Sequence, residues 1–154
     1  MSLQPILLPL AVGAIAGAAT ATKVPVPSTQ QQLDNLKNAA PVAGGVMMVL
    51  SVGMTALGIM SITKPELGGK ILAGVSALSL LSVLNLPAGE PSKTTGLAVG
   101  MVGLGLAASL YKGGSAARFA SSEVVIGYGA MLTTSSGIFL NDLTKLLPPA
   151  ATAA

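Results

Sequence analysis

Charge is confined to thirteen positions in this chain, and the gaps between them set what it can fold into. The charged residues are Lys23, Asp34, Lys37, Lys64, Glu66, Lys70, Glu90, Lys93, Lys112, Arg118, Glu123, Asp142 and Lys145. Between them lie five uncharged runs, 1–22, 38–63, 71–89, 94–111 and 124–141, of 22, 26, 19, 18 and 18 residues. A helix crosses a hydrocarbon core with about 20 apolar residues, in a range of about 17–25. A charge at mid-bilayer costs at least about 2.5–3.5 kcal/mol on insertion scales. Runs of this length, broken only by short charged stretches, are the pattern that successive membrane crossings leave.

Composition supports this reading. Charged residues make up 8% of the chain, against roughly 25% in a soluble domain. Hydrophobic residues make up 51%, and the mean hydropathy is +0.76. A disordered chain is polar and charged, so disorder is excluded. A soluble monomer needs a surface about 25–35% charged, which thirteen charges in 154 residues cannot supply.

The spacing predicts crossings over 41–63, 71–86, 94–111 and 124–140. Pro41 suits the first turn of its helix. Pro87 ends the second of these spans, and Lys112-Gly113-Gly114 ends the third. The run 6–21 is open between a span, a signal peptide and an interfacial or docking segment. It has a small-residue end at Ala19-Thr20-Ala21 but no basic stretch before its apolar core. No alternating ten-residue segments of a β-barrel occur. The expected fold is all-α: an integral membrane bundle of four or five short transmembrane helices, linked by short hairpin loops, in one domain over 1–154.

The 22–40 segment reads as an interfacial loop. Pro25 and Pro27 hold its start extended. Ser28 then caps a short helix running to Lys37. Leu33 and Leu36 share one face of it, which would rest on the bilayer or dock a partner. Loops are expected at 64–70, 87–93 and 112–123, and a flexible tail at 146–154. Lys and Arg divide four against four between the two sides, so the positive-inside rule assigns no orientation.

The missing residue types exclude much chemistry. Without Cys or His, disulfides, thiolate sites, the usual zinc and haem ligation and a Ser-His-Asp triad are out of reach. With no Trp, two Tyr and two Phe, no base-stacking platform is available, and the scattered lysines form no nucleic-acid footprint. Gly103-x-Gly105-x-x-Ala108 mimics a dinucleotide fingerprint but lies inside an apolar run, where the required strand is lacking. A rotor-type proton carrier needs a mid-membrane acid, and Glu123 and Asp142 only flank the last run.

Four glycines are the helix-packing candidates: Gly13-x-x-x-Gly17 and Gly96-x-x-x-Gly100 match the small-residue pattern of close membrane-helix contact. Packing within the chain and packing on another subunit both satisfy it. Arg118 and Glu123 are the interfacial charge candidates, as a salt bridge or, for Arg118, a lipid-phosphate anchor. Thr133, Thr134, Ser135 and Ser136 form a hydroxyl cluster expected to bond back to carbonyls one turn earlier or to line a polar path. Ser76, Ser79, Ser82 and Asn85 recur every three residues, as a stripe that could face that cluster.

The expected function is non-catalytic: a small structural or accessory subunit of a larger membrane assembly, such as an energy-transducing or photosynthetic complex or a membrane-containing virion. Its partners would be other membrane subunits and the bilayer, not nucleic acid. The sequence requires no cofactor, and a bound lipid or pigment is compatible with it. The alternative is a transporter or channel for a small neutral solute or lipid.

Overall fold

The computed structural model describes residues 4–21, 23, 24 and 26–146. Five helices follow one another: α1 (Gln4–Thr20), α2 (Gln30–Thr63), α3 (Pro65–Val83), α4 (Pro91–Lys112) and α5 (Ser115–Leu146). No strand occurs among the described residues. Four stretches are long and apolar enough to cross a membrane: Gln30–Thr63, Pro65–Val83, Lys93–Lys112 and Ser115–Leu146. At 1.5 Å per residue they measure about 51, 28, 30 and 48 Å, against a core of about 30 Å. α1 is apolar but shorter, about 26 Å.

Several boundaries differ from the spacing of charges. The 22–40 segment is not a separate loop helix, because its helical part continues through Pro41 into the apolar run. Pro41 lies inside α2 rather than in its first turn, so one backbone hydrogen bond to Lys37 is forgone. The cap is Thr29, not Ser28: the Thr29 Oγ1 accepts the amide of Gln32 at 3.2 Å. Gln32 reaches back in turn, its Oε1 accepting the amide of Ser28 at 2.8 Å. This is close to a capping box, shifted by one residue.

The expected loop at 64–70 shrinks to Lys64, whose φ of −128° and ψ of 67° break the helix. Pro65 opens α3, preset for a first helical turn, and Glu66 places a carboxylate at the positive end of the helix dipole. The expected loop at 112–123 shrinks to Gly113 and Gly114, since Ser115, Ala116, Ala117 and Ala120 are helical and carry α5 outward past the apolar run. The α3–α4 connection turns at Gly89, whose φ of +92° is left-handed and suits a residue without Cβ. Beyond Leu146 the expected flexible tail lies outside the described residues.

The chain divides into two compact units, Met1–Thr55 with Gly127–Ala154, and Ala56–Ile126. In the first, α1 runs parallel to α5: Gly13 meets Gly127 and Ala130, and Gly17 meets Met131 and Thr134. α2 runs antiparallel to α5, with Gly44 against Leu140, Met48 against Gly137 and Thr55 against Gly129. In the second unit α3 and α4 form an antiparallel hairpin. Val83 meets Gly96, Leu80 meets Gly100, Ser76 meets Gly103, and Gly69 meets Ala107 and Leu110. The α4 partners are spaced four, three, four and three residues apart, the 3.5-residue period of a helix seam.

Buried serines share the interior with Leu57, Leu72, Leu110, Ile126 and Leu143, while many other large aliphatic side chains face outward. Ser51, Ser61, Ser76, Ser121, Ser122 and Ser136 are buried, while Val49 is 72% exposed, Leu78 68% and Leu81 60%. Soluble domains expose contiguous apolar surface of this extent only rarely.

Candidate functional site

All four packing candidates make contacts inside the chain. Gly13 and Gly17 are buried on α1, where a Cβ on Gly13 would lie 2.8 Å from the Cβ of Ala130. Gly96 and Gly100 admit the side chains of Val83 and Leu80. Gly13 and Gly17 bring the backbones of α1 and α5 together, whereas Gly96 and Gly100 make room for α3 side chains.

Sequence reasoning missed further contacts of the same kind. A Cβ on Gly58 would lie 2.7 Å from the amide nitrogen of Ile126, and one on Gly69 2.8 Å from the carbonyl oxygen of Ala107. Gly129 fits against the backbone of Thr55. Ser51, Thr55 and Gly58, spaced four and three, carried a small-residue signal of the same kind as the G-x-x-x-G pairs.

The hydroxyls behave in two ways. The Ser51 hydroxyl donates to the Met47 carbonyl at 2.7 Å, Ser61 to Leu57 at 2.7 Å and Thr133 to Gly129 at 2.7 Å. These bonds satisfy buried groups locally. Ser135 instead donates across to the Gly17 carbonyl at 3.2 Å, tying α5 to α1. The Ser76–Asn85 stripe does not form one face. Ser76 is buried against Gly103, whereas Ser79, Ser82 and Asn85 are exposed. A three-residue step falls about 60° short of a full turn, so nine residues carry the stripe to the opposite side.

Arg118 and Glu123 are not paired with each other. Five residues along a helix point about 140° apart. Arg118 turns to the end of α4, where its Nη2 donates to the Tyr111 carbonyl at 2.7 Å. That carbonyl belongs to the last turn of α4, whose oxygens have no partner within the helix. Arg118 also forms a 3.6 Å ion pair with Glu66 on α3. Its Nε is buried without an acceptor among the described residues. Glu123 is half-buried on α5.

These groups border a cleft of about 420 Å³ whose lining includes Lys64, Glu66, Leu67, Lys70 and Arg118. The Lys70 Nζ lies 5.8 Å from the centre of the Tyr111 ring, within cation–π range. A second, larger cleft of about 600 Å³ is mainly apolar, between Val26, Pro27, Leu36 and Phe139, with Gln32 and Asn35 at its wall.

Comparison with protein-family models, curated proteins and solved structures finds no match for this chain.

Proposed function

We propose that this chain is an integral membrane protein serving as a small, non-catalytic structural or accessory subunit of a larger membrane assembly. The observation that carries the reading is the apolar exterior of the long helices, where Leu, Val and Met side chains such as Val49, Leu78, Leu81 and Met101 stand exposed. In water that exterior would drive aggregation, whereas in lipid it costs nothing and small interior residues let helices meet closely. The accessory role is supported by outward glycines. Gly45 and Gly53 on α2, Gly74 on α3 and Gly105 on α4 have open space where a Cβ would stand. Such positions offer a neighbouring helix the same close approach that Gly58 and Gly129 give within the chain.

The test is extraction of native membranes. The chain should stay in the pellet at alkaline pH in carbonate. In mild detergent it should migrate on a native gel within an assembly several times its own 15.1 kDa. Release by carbonate would refute membrane integration. Migration alone, or as a small homo-oligomer, would refute the subunit role and favour transport assays in liposomes.

A further inference from the structure

We infer that the cleft between the α2–α3 bend and the start of α5 is a phosphate site, occupied by the headgroup phosphate of an anionic phospholipid. Three cations, Lys64, Lys70 and Arg118, line it against one carboxylate, Glu66. The ion pair between Arg118 and Glu66 is the one found among the described residues, at 3.6 Å with Glu66 68% exposed. Lys64 and Lys70 therefore keep uncompensated charge. Arg118 is held in place by the Tyr111 carbonyl, so a ligand need not order it. Its Nε makes no hydrogen bond among the described residues. The cleft also opens on the first turn of α3, where backbone amides lack helical partners and the dipole favours an anion.

Two features select a lipid over free phosphate. The cleft lies where apolar helices end, the depth at which headgroups sit. Leu67 in its wall is 45% exposed, an apolar shoulder for an acyl chain. The far end of the same hairpin offers no comparable charge, since Glu90 there accompanies Lys93.

The inference rests on the membrane reading above, which carbonate extraction decides separately. Its own test is native mass spectrometry of the purified full chain in detergent. The probes are phosphatidylglycerol and phosphatidylcholine of equal chain length, with inorganic phosphate as competitor. Phosphatidylglycerol should bind about tenfold more tightly than phosphatidylcholine. At roughly a fivefold effect per basic residue near the surface, Lys64→Gln with Lys70→Gln should weaken phosphatidylglycerol about 10–30-fold. The same change should leave phosphatidylcholine unmoved. Lys64→Arg with Lys70→Arg should retain binding, which separates charge from folding. Lys93→Gln should bind like the natural chain. Equal binding of the two lipids, or an equal loss in Lys93→Gln, would overturn the site. Inorganic phosphate binding as tightly as phosphatidylglycerol would overturn the lipid as its occupant.

Discussion

A Cβ on Gly58 would stand 2.7 Å from both the amide nitrogen and the Cγ1 of Ile126, and the backbone atom cannot step aside. Gly58→Ala should therefore destabilise the chain by about 1–3 kcal/mol, the usual cost of overpacking. Gly53 has nothing within 4 Å. Gly53→Ala should instead gain about 0.5–1 kcal/mol, because alanine loses less entropy in a helix. Thermal unfolding in detergent, followed by circular dichroism, checks both signs. If the two variants move together, the packing described for α2 against α5 in the second unit is wrong. Charge at the α2–α3 bend follows a different rule. Glu66→Gln should change stability by less than about 1 kcal/mol, as exposed ion pairs do. Arg118→Ala should cost more, since it also uncaps the Tyr111 carbonyl.

Helix boundaries depart from the charge pattern for a reason visible in α2. A charged residue interrupts an apolar run without ending the helix that carries it. Lys37 and Asp34 stand on the same helix as Val49, and Arg118 and Glu123 on the same helix as Ile126. Thr29 and Gln32 supply the start signal of α2, twelve residues before Pro41. Pro41→Ala restores the missing backbone bond, worth up to about 3 kcal/mol, and should slow hydrogen exchange around residues 37–45. Thr29→Ala should cost about 1 kcal/mol and speed exchange in the first turn of α2. Unchanged exchange in either variant would show that α2 is not continuous. The four apolar stretches themselves were legible from spacing alone, because run length and hydropathy are local to the chain and do not depend on tertiary contacts.

At the scale of the molecule, helix direction becomes testable. α2 and α5 are antiparallel in the first unit, with Gly44 against Leu140. Lys37 and Lys145 extend beyond that pair, so in sealed vesicles an impermeant amine reagent should label both from one side. The second unit brings α3's start to α4's end, with Lys70 over Tyr111. Lys64, Lys70 and Lys112 should likewise be labelled together. Either set split between the two sides would refute the helix directions within that unit.

Sequence alone determined the helical class of this protein and the four stretches long and apolar enough to cross a membrane. Hydropathy and charge spacing are local quantities, and the cost of charge in hydrocarbon acts on each residue wherever its neighbours lie. Tertiary structure decided which small residues touch and what Arg118 binds. Gly53 and Gly58 both lie outside any G-x-x-x-G match, so spacing could not separate Gly58, buried on Ile126, from Gly53, facing open space. Nor could it bring Glu66 to Arg118 across 52 residues. That pairing depends on the α3–α4 hairpin returning the chain to its starting end, a consequence of how the helices pack.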